Sequence, residues 1–138
     1  MIVIDSSAFS KFLMREEGWE NVIPYLDPSS EPHAVDMLTI ETANVIWKYM
    51  RKYRLITRGQ ALGLYEQMTR LVKEEVIILE PSGKYLKEAL EIAIKYDTSI
   101  YDSLFLAQAR NLRAKLITSD KGQEKIAKEM GLEAIYIE

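Results

Sequence analysis

The stretch that decides the fold is MIVIDSS, residues 1–7. Residues 2–4 form an uninterrupted apolar run, and the acid Asp5 ends it. A short run of this kind predicts a strand that is buried on both faces, as in a parallel sheet. The next segment, SSAFSKFLMREE (6–17), carries aromatic and aliphatic side chains at helical spacing. A helix should therefore follow the carboxyl end of this strand directly.

The same alternation continues to the end of the chain. Short apolar runs typical of strands recur at residues 33–37, 76–79, 116–118 and 134–137. Helical spacing of apolar residues begins at 18, 39, 57, 85, 101 and 121. Strands that alternate with helices predict an α/β fold, with a mainly parallel central sheet flanked by helices in a three-layer sandwich.

The composition is that of a folded domain. Of the 138 residues, 48% are hydrophobic and 28% are charged, and no linker or repeat divides them, so we expect one domain over residues 1–138. No apolar run reaches the ~18–20 residues that span a bilayer, and no basic segment precedes an apolar one at the amino terminus. Neither a membrane span nor a signal peptide is expected, and the absence of cysteine fits a reducing cytoplasm.

Cysteine and histidine usage restricts the possible chemistry. The chain has no cysteine and a single histidine, His33. Thiolate zinc sites, cysteine nucleophiles and histidine metal clusters are therefore excluded, and Ser6 and Ser7 have no histidine base beside them for a catalytic triad. A metal site would have to consist of oxygen ligands, which favours Mg²⁺ or Mn²⁺. The net charge of −3 neither requires nor excludes a nucleic acid partner.

Four acids stand where predicted strands end or predicted helices begin: Asp5, Glu41, Asp102 and Asp120. Taken singly, each has a structural interpretation. Asp5 and Asp120 could be helix N-caps, and Asp102 could complete a capping box with Ser99. Glu41 could be a favourable negative charge in the first turn of its helix.

Taken together, the four acids predict a metal site. The carboxyl ends of parallel strands and the starts of the following helices lie at one edge of a sheet, where ligands bind. Four carboxylates at this edge would repel one another and raise each other's pKa values. A divalent cation removes that penalty, so we expect these acids to hold Mg²⁺ or Mn²⁺ and to be the catalytic residues of a metal-assisted hydrolysis of phosphate esters.

Four short motifs occur in order along the chain: VIDSS (3–7), ETAN (41–44), YDS (101–103) and TSD (118–120). In order, spacing and overall chain length they resemble the PIN-domain nucleases, and within these the VapC-like toxins of prokaryotic toxin–antitoxin pairs. The resemblance covers essentially the whole chain. One departure is Ser103, which stands where the family often has alanine.

The resemblance implies an endoribonuclease in which the four acids bind Mg²⁺ or Mn²⁺ and a metal-activated water attacks an RNA phosphodiester. It also implies that Ser6, Asn44 and Thr118 support the site by hydrogen bonding to an acid or a water molecule. Family members usually form homodimers and are silenced by a small antitoxin protein. RNA, an antitoxin and a second copy of the chain are therefore the expected partners, with the helices between Thr39 and Lys73 contributing to the dimer.

Several residues have two interpretations at this level. The basic stretch Lys48–Arg54 interleaves cations with tyrosines and could bind RNA, although a charge run on a helix is more often a solvated face. Glu124 could be a further acid of the site or a solvated helix residue. Ile40 and Trp47 are expected on the packed face of their helix. The alternative to a nuclease is a non-catalytic interaction domain with the same fold.

Overall fold

The computed structural model describes all residues, Met1–Glu138. Its five strands are β1 (Ile2–Ile4), β2 (Pro32–Val35), β3 (Ile78–Glu80), β4 (Lys115–Thr118) and β5 (Ala134–Tyr136). They form one sheet in the order β3-β2-β1-β4-β5, and every neighbouring pair is parallel. The predicted α/β fold is confirmed, and the sheet is wholly parallel.

The helices are α1 (Ser6–Leu13), α2 (Met37–Trp47), α3 (Arg58–Lys73), α4 (Leu86–Tyr96), α5 (Ile100–Leu112) and α6 (Lys121–Glu129). Shorter 3₁₀ turns occupy Trp19–Leu26, Pro28–Ser30 and Ser82–Tyr85, and a π-helical turn at Lys48–Lys52 continues α2. None of the helices combines the length and the hydropathy needed to cross a bilayer.

The direction of the connections places helices on both faces of the sheet. From β1 through β2 to β3 the chain moves across the sheet one way, and from β3 through β4 to β5 it moves the other way. Because such crossovers are right-handed, α1–α3 cover one face and α4–α6 cover the other. Packing agrees with this division, since α2 contacts both α1 and α3 while α4 packs on α5. The predicted three-layer sandwich is thus confirmed.

The central strand β1 anchors the core. Val3 and Ile4 have no exposed surface, and they belong to a single cluster of 27 buried hydrophobic residues. Ile4 pairs with Ile117 of β4, and the backbone N–H of Asp5 donates to the carbonyl of Ile117 at 3.1 Å. This register brings the carboxyl ends of the two strands to the same level.

Helix α2 begins at Met37, earlier than the predicted start at Thr39. The reason is a distant partner: the Ser82 hydroxyl accepts a hydrogen bond from the Met37 N–H at 3.1 Å and donates to Asp36 at 2.5 Å. A helix start stabilised from another loop has no local sequence signal. Glu41 consequently lies beyond the first turn, and its interpretation as a charge favoured by the helix dipole loses its support.

The predicted packed face of α2 is also wrong. The buried residues of this helix are Leu38, Thr42 and Ile46, whereas Ile40 is 65% exposed and Trp47 is 55% exposed. The buried positions recur at every fourth residue and define the face of α2 that packs on the core. Ile40 and Trp47 lie outside this face. Two bulky apolar residues of α2 therefore remain available on the surface.

Candidate active site

The site lies where the sheet topology changes direction. After β1 the chain turns into α1 on one face, and after the adjacent β4 it turns into α6 on the other face. A crevice opens between two such diverging connections at the carboxyl edge of a parallel sheet. Asp5 directly follows β1, and Asp120 lies just beyond β4. The loops are joined by Ser7, whose hydroxyl accepts from the Ser119 N–H at 2.8 Å.

Asp5 is the most deeply buried acid of the site, with 4% of its surface exposed. Its Oδ1 accepts from the Ser7 hydroxyl at 2.6 Å and from the Ala8 N–H at 3.1 Å, so the carboxylate also caps α1. Burial raises the pKa of Asp5 to about 6, and the negative charge of Asp102 adds to the rise. Hydrogen bonds from Ser7, Thr118 and Ala8 oppose it. No cation of the protein forms a salt bridge with this buried carboxyl group.

Glu41 projects from α2 beside the start of α1. Its Oε1 accepts a hydrogen bond from the Ser6 hydroxyl at 2.8 Å. Burial raises the pKa of Glu41, the Ser6 hydroxyl lowers it and the charge of Asp102 raises it further. Asn44 lies along the same cavity as Glu41 but makes no hydrogen bond to it. The side chain that orients Glu41 is thus Ser6.

Asp102 is the electrostatic centre of the group. It stands in the first turn of α5, where the Ser99 hydroxyl caps its backbone N–H at 3.1 Å. Burial raises the pKa of Asp102, the charge of Asp120 raises it further, and hydrogen bonding to Ser99 lowers it. Because Asp102 also raises the pKa values of Asp5 and Glu41, the carboxylates are coupled through this one residue.

Asp120 caps α6, as its structural interpretation predicted. Its Oδ1 accepts from the backbone N–H groups of Gly122 at 2.7 Å and Gln123 at 3.1 Å. The Asp120 N–H in turn donates to the Thr118 hydroxyl at 3.1 Å. The Gln123 side chain donates to the carbonyl of Asp102 at 2.9 Å, which ties the start of α6 to the start of α5.

An open cleft of about 750 Å³ runs along this edge of the sheet. It is lined by residues of α1, α2, the start of α5 and the loop after β4, among them Ser6, Ser7, Glu41, Tyr101 and Ser119. Of the four acids only Glu41 lines the cleft itself, and the other three are next to lining residues in the chain. The acids therefore stand at one edge of the sheet but do not all project into the cleft.

The arrangement of these acids and their chemistry bear on metal binding in different ways. No three histidine, cysteine, aspartate or glutamate side chains are placed so that together they could hold a metal ion. Two of the four carboxylates, those of Asp5 and Asp120, use an oxygen as a helix cap. The donor set nevertheless fits a hard divalent cation, because it consists of oxygen ligands and three of its members carry a raised pKa. Binding would require the carboxylates to turn toward one another.

One residue of the site was missed by the sequence analysis. Ser7 donates to Asp5, accepts from the Ser119 N–H and lies 3.2 Å from the Thr118 hydroxyl. The available signal in the sequence is a small polar residue at the start of the helix that follows Asp5. Glu124 forms an ion pair with Lys128 at 3.1 Å and does not line the cleft, which favours its interpretation as a solvated helix residue.

Comparisons with known proteins agree on one family. The family model for the PIN domain matches residues 2–129. The chain is 28% identical over 120 residues to Ribonuclease VapC3 of Pyrobaculum aerophilum, which covers 87% of this chain and 89% of the relative.

Two solved structures share the fold. A crystal structure of PAE2754 from Pyrobaculum aerophilum aligns with a TM-score of 0.69 and 17% identity, over 96% of this chain and 89% of that one. The structure of FitAcB from Neisseria gonorrhoeae aligns with a TM-score of 0.58 and 15% identity, over 98% of this chain and 96% of that one. At these identities the likeness concerns the fold alone.

Proposed function

The chain belongs to the PIN-domain family, and on that basis we propose that residues 1–138 form a single metal-dependent endoribonuclease domain, which hydrolyses RNA phosphodiester bonds. The observation that carries the proposal is the group of acids coupled through Asp102 beside an open cleft. The similarity of the chain to a relative that is named as a ribonuclease supports the same proposal.

Asp5, Glu41, Asp102 and Asp120 would hold Mg²⁺ or Mn²⁺. Such an ion supplies positive charge to a reacting phosphate and lowers the pKa of a coordinated water. The protein's own contribution is to orient the carboxylates and, through hydrogen bonds, to offset part of the cost of ionising them in a buried site. The Ser7 and Thr118 hydroxyls hydrogen-bond Asp5, and Ser6 does the same for Glu41. We therefore propose that the hydroxyls of Ser6, Ser7 and Thr118 fix the orientation of these carboxylates for metal binding.

We extend the proposal to the biological role suggested by the VapC-like resemblance. The chain would be the toxin of a toxin–antitoxin pair, with a small antitoxin protein as its silencing partner. A homodimer is also proposed, and the exposed apolar residues Ile40, Trp47, Leu62 and Tyr65 on α2 and α3 are its candidate contact surface. Ile40 and Tyr65 line one shallow pocket between these helices, and a contiguous exposed apolar surface is typical of a protein contact.

The nuclease proposal is tested with the variant Asp102→Asn. This residue is suitable because the Asp102 carboxylate does not cap a helix, so its replacement should leave the fold intact. The wild-type protein should cleave RNA when Mg²⁺ or Mn²⁺ is added, and EDTA should stop the cleavage. The cleavage rate of the variant should be lower by orders of magnitude. A matched control is Asp97→Asn, because Asp97 is exposed at the end of α4 with φ of 53°, a conformation that asparagine also tolerates.

The alternative is a non-catalytic interaction domain, which the absence of a ready three-ligand metal group favours. Full activity of Asp102→Asn would remove the proposed site. If wild type cleaves none of several RNAs with either ion and without antitoxin, the interaction domain becomes the better assignment.

A further inference from the structure

The basic stretch Lys48–Arg54 is divided by the structure into two parts. Arg51, Lys52 and Arg54 are exposed, as a solvated charge run should be. Lys48 instead lines the cleft, on the same wall as Glu41 and Asn44. The three positions are separated by three and four residues, so they share one face of α2.

Lys48 is a half-buried cation without a counter-ion. No salt bridge or side-chain hydrogen bond involves its ammonium group. The other charged groups along the cleft have hydrogen-bond partners within the protein: Lys11 donates to the carbonyl of Glu17 at 2.8 Å, Glu16 accepts from the Tyr49 hydroxyl, and Glu41 accepts from Ser6. A positive charge held at a cavity wall and left without a partner is free to bind an anion.

Tyr101 adds an aromatic surface to the same cleft. It precedes Asp102 in the first turn of α5 and is 54% exposed, and its hydroxyl makes no hydrogen bond within the protein. The Ser99 cap of α5 holds this turn in place. An exposed ring beside a phosphate-hydrolysing centre can stack on an unpaired base, whereas a base inside a duplex is covered by its neighbours.

We propose that Lys48 and Tyr101 position the RNA substrate in the cleft, with Lys48 contacting a backbone phosphate next to the scissile one and Tyr101 stacking on an unpaired base. The inference rests on the proposed nuclease function. Lys48 lies seven residues after Glu41, about 10 Å along the axis of α2. The acids would therefore act on one phosphate while the Lys48 ammonium group holds a neighbouring one, and the aromatic ring selects an unstacked strand.

Binding is measured separately from cleavage, by fluorescence anisotropy in EDTA with a labelled single-stranded oligoribonucleotide and with its duplex. The full chain is compared with Lys48→Gln, Tyr101→Leu and the control Lys87→Gln, which removes an exposed, unpaired cation of α4. Lys48→Gln should weaken single-strand binding several-fold and reduce the slope of log K against log salt by about 0.7. Tyr101→Leu should weaken binding roughly tenfold at an unchanged slope. Lys87→Gln should match wild type.

Several outcomes would overturn the inference. These are equal affinity and slope for Lys48→Gln and wild type, equal binding of duplex and single strand, and no binding by wild type. Because the assay contains no metal and follows no cleavage, its result is independent of the nuclease test. Binding that behaves as expected in a chain that cleaves nothing would refute the proposed function alone, whereas cleavage with an unaffected Lys48→Gln would refute the inference alone.

Discussion

Replacement of Asp5 by asparagine should make the metal-free protein more stable and at the same time inactive. The buried carboxylate has a pKa raised from 3.8 to about 6, chiefly because burial disfavours its charge. Asparagine is nearly the same size, and its oxygen can still accept from the Ser7 hydroxyl and the Ala8 N–H. The substitution therefore removes the charge while it retains the helix cap.

The magnitude follows from the pKa difference between the folded and unfolded chains. The raised pKa means that ionised Asp5 destabilises the folded state: the penalty is absent below pH 3.8, develops as the pH rises to about 6 and is complete above that. Two pKa units correspond to about 3 kcal/mol. This shift already includes the hydrogen bonds that favour the charged form. A gain of about 3 kcal/mol, or about 9–15 °C in Tm, is expected for Asp5→Asn at pH 7.5 in EDTA.

The assay is thermal unfolding of both proteins in EDTA at pH 4 and at pH 7.5, followed by the same measurement with Mg²⁺ or Mn²⁺. The stability difference should nearly vanish at pH 4. Added metal should raise the Tm of wild type and not that of Asp5→Asn, since an ion stabilises only a native state that binds it. RNA cleavage, measured in parallel, should be lost in the variant.

The matched control is Asp27→Asn. Asp27 accepts from the N–H and the hydroxyl of Ser29 at 2.9 and 2.6 Å, which is the same kind of cap, but it is exposed and hydrogen bonding to Ser29 lowers its pKa. Asparagine there should not stabilise the protein at any pH and should leave cleavage unchanged. The reasoning about burial would be refuted if Asp5→Asn were less stable than wild type at pH 7.5. It would also be refuted if the variant's stability gain over wild type were as large at pH 4 as at pH 7.5.

Three further predictions concern the stability of the fold. Ser7→Ala removes the acceptor of the Ser119 N–H, so it should lower the free energy of unfolding by about 1–3 kcal/mol and reduce RNA cleavage. Urea titration measures the free energy of unfolding, and a loss below about 0.5 kcal/mol would contradict the role given to this hydroxyl. Gly18→Ala should destabilise the fold, because Gly18 has φ of +86° and an added Cβ would lie 2.1 Å from a backbone oxygen at the carboxyl terminus. Gly63→Ala, in the open middle of α3, should instead stabilise by about 0.5–1 kcal/mol, and equal signs for the two glycine variants would show that local geometry does not decide them.

Most of the fold could be predicted because its signals are local. The apolar runs before Asp5 and Asp120 are each followed directly by a helix. The spacing of hydrophobic residues, together with glycine and proline positions, marks the other helices and strands. The order of strands and helices then restricts the sheet to a parallel arrangement, which places these acids at one edge. That much depends only on residues adjacent in the chain.

Tertiary structure alone decided how the site is assembled. Asp102 interacts electrostatically with Asp5, Glu41 and Asp120. Ser7 of α1 is joined to Ser119, 112 residues later, and Ser82 stabilises the start of α2 from a distant part of the chain. The same holds for the separation of Lys48 from the solvated remainder of its basic run, and for the exposure of Trp47. Each depends on which surfaces meet across the fold, and periodicity along one element carries no information about a partner that arrives from elsewhere in the chain.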